Sequence, residues 1–201
     1  MKCRGVNLKS VKLLIVVTIM MVTPIMTYGQ RVEAKVNILA GCLTIFNPSV
    51  EVGLGDVSAI TLDYLGAYAK EDFLNTGHPF LISMGLFGYR RYIWSDHRVG
   101  FFVGGDFGLD LFRMNKSIVP LVAKGSDNGY DVGYGYLLGA TIGYKFNLSR
   151  RLNLEANLSG GWHYAVHECY TYEGVRVVEF NPSGEWTPYK AGIYLSYMFG
   201  S

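Results

Sequence analysis

The feature that most constrains this chain is the stretch from Leu152 to Val166, in which apolar and polar side chains alternate. Leu152, Leu154, Ala156, Leu158, Gly160, Trp162 and Tyr164 fall on one parity, and Asn153, Glu155, Asn157, Ser159, Gly161 and His163 on the other. Side chains of a strand change face at every residue, so a period of two describes a two-faced β-strand and fits no helix. About ten such residues with aromatics at one end of the apolar face is the length and form of a strand that crosses a bilayer.

The pattern recurs seven more times, and strands are expected over 32–43, 49–55, 59–69, 80–94, 100–112, 132–146, 152–166 and 187–199. In the third, Ile60, Leu62, Tyr64 and Tyr68 are read as outward. In the fourth, Phe80, Ile82, Met84 and Leu86 are read as outward, with a bulge near Phe87, Tyr89, Arg90 and Arg91. The fifth opposes Phe101, Val103, Phe107, Leu109 and Leu111 to Asp106 and Asp110. The sixth opposes Tyr136, Leu138, Ile142, Tyr144 and Phe146 to Thr141 and Lys145. In the last, Tyr189, Ala191, Ile193, Leu195, Tyr197 and Phe199 are read as outward, against Lys190, Gly192, Tyr194 and Ser196.

Connections over 55–58, 95–99 and 147–151 are short, whereas those over 70–78, 113–129 and 167–186 are long and that over 45–48 is not. Short turns on one side and longer loops on the other are the habit of outer-membrane barrels. The fold class expected is therefore all-β: an eight-stranded antiparallel transmembrane β-barrel. A lipocalin-like soluble barrel would have the opposite sidedness, with a charged exterior. Here the polar face is mostly Gly, Ser and Asn, too sparsely charged to meet water well. The chain is 50% hydrophobic and only 17% charged, yet beyond the first thirty residues it has no run of eighteen apolar residues for a spanning helix.

Residues 1–29 have the form of a cleaved signal peptide, and 30–201 would be the barrel domain. Lys2, Arg4, Lys9 and Lys12 precede an apolar core over 13–26, and Thr27-Tyr28-Gly29 forms a small-residue cleavage site. Removal of four basic residues takes Lys+Arg from 18 to 14 against 16 Asp+Glu, a balance of −2, so no nucleic-acid partner follows from charge. Cys42 and Cys169 would remain in an oxidising compartment, either paired or free. Leu39-Ala40-Gly41-Cys42 spells a lipoprotein box, but it does not directly follow the signal's apolar core, and Cys42 is read as a strand residue.

Glu33, Lys35, Glu51, Asp63, Asp106, Asp110, Lys145, Glu155 and Lys190, with Arg90 or Arg91, are expected on the inner face. An eight-stranded barrel is only wide enough to be filled by its own side chains, and buried charges must pair. These residues are therefore read as a polar network rather than an ion path, with Asp106 and Glu155 against Lys145 at its centre. Ser159, His163 and Glu155 could form a Ser–His–acid grouping, and His163, His167, Glu168 and Cys169 cluster near one strand end. Two histidines four apart on a strand lie about 13 Å from each other, too far to share one metal. No metal site, no cofactor and no catalytic residue is assigned. Tyr170, Tyr172, Arg176, Phe180 and Trp186, in the 167–186 connection, are residue types favoured at recognition surfaces. Val175, Val177 and Val178 suggest equally that the flanking strands continue as a hairpin.

Three stretches carry a family resemblance: Lys35 to Leu39 leading to Asn47-Pro48 and on to Gly55, Asn153 to Tyr164, and Pro188 to Tyr197. Together they resemble a family of small exported outer-membrane barrels of unknown function, often encoded beside fimbrial subunits. The resemblance implies a barrel of the OmpA/OmpX build in the outer membrane of a Gram-negative bacterium, with no activity to carry over. Lys190, Gly192, Leu195 and Tyr197 also resemble the terminal signal read by the barrel-assembly machinery, although Gly200 and Ser201 follow the usual terminal aromatic. The function expected is that of a structural or surface-interaction protein, not an enzyme. Its partners would be outer-membrane lipid, the assembly machinery and fimbrial or other surface proteins. The alternatives are an outer-leaflet lipid-modifying enzyme and, last, a small-solute pore.

Overall fold

The computed structural model describes residues 31–69, 80–93, 98–115 and 129–199. The signal-peptide region 1–29 lies outside them, as do the 70–78 connection and most of 113–129. The described chain forms β1 (Val32–Asn37), a short helix α1 (Ile38–Cys42), β2 (Pro48–Gly53), β3 (Ser58–Ala69), β4 (Phe80–Tyr92), β5 (Gly100–Met114), β6 (Gly129–Asn147), β7 (Leu152–Thr171) and β8 (Arg176–Phe199). Each strand pairs antiparallel with its neighbour in sequence, and β1 also pairs with β8, closing an eight-stranded barrel. Among the described residues no helix is long and apolar enough to cross a membrane.

The alternation read in the sequence becomes the sidedness of the wall. Leu62, Leu109 and Leu138 point outward and stay 63%, 59% and 66% exposed, while Glu51, Lys145 and Glu155 on the inner face are fully buried. Tyr144 and Phe146 on β6, and Tyr197 and Phe199 on β8, collect outward-facing rings near the end that carries the short connections, here the turn end. The opposite end, which carries α1 and the longer connections, is the loop end.

Three local features differ from the reading of the sequence. First, β1 stops at Asn37 instead of running to residue 43. The Asn37 side chain accepts from Ala40 N at 3.1 Å and so caps α1, which leaves Cys42 exposed in a helical turn rather than in a strand. Its amide also donates to Asn47 Oδ1 at 3.0 Å and to Ala191 O at 3.2 Å, fixing the β1–β2 connection across β8.

Second, β4 has the opposite face inward. Met84 and Leu86 are buried, whereas Phe87 and Tyr89 are exposed. Both parities of this strand carry apolar residues, so pairing decides the face: Phe87 sits opposite Leu62 on one side and Phe107 on the other. Its pairing with β3 and β5 is continuous, without the anticipated bulge, and turns Arg90 inward and Arg91 outward.

Third, the irregularity lies in β8. Ser159 pairs with Lys190 but Gly160 with Pro188, so Tyr189 is an extra residue that turns inward instead of outward. Opposite Gly161, Gly139 leaves the space its ring occupies: a Cβ there would lie 2.5 Å from Tyr189 Cε1. The 167–186 connection is the hairpin that Val175, Val177 and Val178 suggest. β7 and β8 continue as a hairpin closed at Thr171–Val175, where Gly174 takes the left-handed backbone (φ 83°) that the tight turn needs.

Candidate functional site

The lumen is stratified, and its lowest layer, toward the turn end, is ionic. Glu33, Lys35, Glu51, Arg90, Lys145 and Glu155 are brought together from β1, β2, β4, β6 and β7 because each sits at an inward parity of its strand. Lys35 Nζ lies 2.5 Å from carboxylate oxygens of both Glu51 and Glu155. Arg90 Nη1 lies 3.2 Å from Glu51 and 2.7 Å from Glu155, and Lys145 Nζ lies 3.1 Å from Glu33 and 2.7 Å from Glu51. Three cations thus meet three carboxylates, and Tyr92 donates to Glu51 at 2.9 Å. The Arg90 guanidinium also stacks 4.7 Å above the Phe102 ring. Expected at the centre, Asp106 is not part of this layer. Glu155 is opposite Lys145 in the ladder but forms its ion pairs with Lys35 and Arg90, because Lys145 reaches across to Glu33 and Glu51.

Above it, Lys190 Nζ lies 3.2 Å from Asp63 Oδ2 and 3.9 Å from Asp106 Oδ2. Asp106 also accepts from Thr141 and, at 2.8 Å, from the Tyr189 hydroxyl that the bulge delivers. The nine charged residues expected on the inner face are all buried, and apart from Asp110 they fall into these two layers. The arrangement seals the middle of the barrel with paired charges, which suits a plug and not a path for ions.

Toward the loop end the lumen changes character. Met84, Leu86 and Leu137 form a buried apolar cluster with Leu65, Ile82 and Tyr189 packed against it. A partly open cavity of about 270 Å³ lies above, lined by Ile82, Phe112, Leu137 and Pro188 with Asp110, His163 and Glu185. His163 Nε2 is 2.9 Å from Asp110 Oδ1, and Ser159 Oγ bonds Thr141 Oγ1 at 2.6 Å. With Glu155 held in the ionic layer, the Ser159–His163–Glu155 grouping is not assembled. The fourth-strand leucine and methionine, read as lipid-facing, are what make this cup apolar.

At the loop end itself β6 and β7 carry a cluster of which the sequence reading names His167 and Cys169 but not Asp131. Asp131 is the ladder partner of Cys169, and His167 lies two residues away on the same face. Their potential ligand atoms all lie within 4.8 Å of one another. Cys42 and Cys169 are not joined in a disulfide.

Outside the hairpin, Arg113 stacks 4.3 Å over the Tyr130 ring, which lies 5.8 Å from Tyr170 and 6.3 Å from Tyr172. Tyr170 donates to Glu168 at 2.6 Å, a bond that raises the phenol's pKa, and Arg176 Nη1 lies 3.4 Å from Glu168. Tyr170, Tyr172 and Arg176 therefore share one projecting surface, to which Arg113 and Tyr130 also belong. Trp186 does not. It lies lower on the outer wall, 73% exposed and 6.0 Å from Trp162 in an edge-to-face pair. The side chain of Phe180 lies outside the described residues.

Residues 14–199 match a family described as "Protein of unknown function (DUF3575)". No curated protein matches the chain. Among solved structures, the crystal structure of the N-terminal β-barrel domain of Pseudomonas aeruginosa OprF is similar at 16% identity, with a TM-score of 0.43, over 85% of this chain and 96% of that one.

Proposed function

The chain belongs to the DUF3575 family of proteins of unknown function, and from that premise we propose that it is an outer-membrane barrel that serves as a structural and surface-interaction protein. The sidedness of the wall carries the reading. Water would not tolerate a continuous exterior of leucine, phenylalanine, tyrosine and tryptophan, and acyl chains would, while the three cations and three carboxylates of the lowest lumenal layer pair inside. The turn end is assigned to the periplasm and the loop end to the cell surface, with Trp162 and Trp186 at the outer interface. Thr171 lies nine residues beyond Trp162 on β7, about 30 Å of strand at about 3.3 Å per residue. That projecting hairpin, with Arg113, Tyr130, Tyr170, Tyr172 and Arg176, is the surface offered to a partner. Fimbrial components are the partner class that the family resemblance suggests, and the chain is assigned no catalytic role.

A photo-cross-linker placed at Tyr172 in cells tests the reading. It is expected to trap a surface protein from the outer-membrane fraction, and shortening the hairpin by equal lengths of β7 and β8 should abolish the adduct while the barrel still inserts. Recovery of the protein from the soluble periplasm would overturn the membrane assignment. Unchanged adducts after shortening would overturn the role of the hairpin.

The apolar cavity beside Asp110 and His163 favours a second reading, an outer-leaflet lipid-modifying enzyme, since it offers space for part of an acyl chain beside a histidine–carboxylate pair. A change in the lipid profile of cells carrying the protein, lost in His163→Ala, would support that alternative.

A further inference from the structure

We propose that Asp131, His167 and Cys169 form a zinc-binding site near the loop end of the barrel, joining β6 to β7. This goes beyond the proposed surface role and does not depend on which partner the hairpin meets. Three observations converge.

The ladder register places Asp131 directly across from Cys169, and period two puts His167 on the same face, so one carboxylate oxygen, one imidazole nitrogen and one sulfur gather within 4.8 Å. Zinc at about 2.0–2.3 Å from each ligand spaces neighbouring ligand atoms by about 3.5 Å, and the shortfall is within reach of side-chain rotation. Asp131 and His167 are buried, 7% and 5% exposed, so these are not side chains spread over a wet surface. The β7–β8 pairing is broken between His167 and Cys169 and again between Cys169 and Tyr170, whereas the β6–β7 ladder continues unbroken past them. Irregularities of this kind re-aim side chains, and here they flank the sulfur.

The donor set selects the ion. A thiolate excludes magnesium and calcium, which take oxygen ligands. Nitrogen, oxygen and sulfur donors together suit zinc, whose filled d shell neither oxidises the thiolate nor imposes a geometry. One carboxylate and one thiolate also balance a dication. Three protein ligands leave a fourth position for water or for a group supplied by a partner. Neither histidine spacing nor a paired-cysteine motif announces this set, because its members are 36 and 2 residues apart along the chain.

The test uses the full barrel refolded in detergent, with Cys42→Ala leaving Cys169 as the cysteine to be probed, and zinc alone as the probe. Expected are one zinc per chain, slowed maleimide labelling of Cys169 when zinc is present, and a thiolate-to-metal charge-transfer band when cobalt replaces zinc. Cys169→Ser and His167→Ala should each weaken zinc by about 100-fold or more, since loss of even an outer-shell partner costs about 10–100-fold. Labelling at the same rate with and without zinc, in the otherwise unsubstituted site, would overturn the proposal whether or not the two variants fold. So would zinc affinity unchanged in folded Cys169→Ser.

Discussion

Glu51 is the side chain on which the charge balance of the lumen turns. It accepts from Lys35, Arg90, Tyr92 and Lys145, with no exposure to solvent. Breaking one partner out of a buried ionic cluster strands the others in a medium that solvates them poorly, at a cost of about 3–5 kcal/mol. Glu51→Leu is accordingly expected to lower the stability of the refolded barrel by about that amount. Urea unfolding followed by tryptophan fluorescence checks it, and a loss well under 1 kcal/mol would contradict the layer described. The inward placement of Glu51 was legible from Val50, Glu51 and Val52. Its four partners were not, because three of them arrive from strands other than the adjacent one and Arg90 could not be told from Arg91 by pattern.

At the scale of one strand, β7 shows how depth sets energy. Leu158 faces outward about midway between Leu152 at the turn end and Trp162 at the outer aromatic pair, so an arginine there would lie near the centre of the apolar band. Leu158→Arg should cost about 2–4 kcal/mol and Leu154→Arg, nearer the turn end, less. Vesicle-embedded unfolding measures both, and equal costs would argue against a depth gradient. β8 makes a different point. Its inserted residue at Tyr189 reverses which parity faces outward: Ala191 and Ile193 below it, Trp186 and Pro188 above. Deleting Tyr189 should leave Lys190 inward and Pro188 outward in a now regular ladder, so the heat-shifted band of folded barrel on gels is expected to persist while the bond from the Tyr189 hydroxyl to Asp106 is lost. Loss of that band on deletion would contradict the assignment of Tyr189 as the extra residue. Parity read down β8 as one uninterrupted series could not detect a change of phase that Gly139 permits from a different strand.

For the molecule as a whole, closure and filling act together. Pairing of β1 with Tyr194–Phe199 of β8 closes the ring, and the paired charges then occupy the narrow bore. Purified barrel in planar bilayers is therefore expected to give no stable conductance steps. Reproducible channels from the unmodified protein would refute the plug and restore the pore reading. The fold expected from the sequence is the one observed, in strand number, order and antiparallel sense. The candidate site was less legible. The inward charges could be enumerated, but the apolar cup, the aromatic surface around Tyr130 and the Asp131–His167–Cys169 cluster are all made of residues from different strands.

What the sequence determined by itself is periodicity: alternation fixes which side chains of a strand share a face, since the pleat turns successive residues to opposite sides. Which face points inward in β4, where α1 interrupts β1, and which residues meet across the bore were decided only by tertiary pairing. The physical reason is that alternation is a property of one strand, whereas register is a relation between two. A strand with apolar residues on both parities takes its orientation from its neighbours.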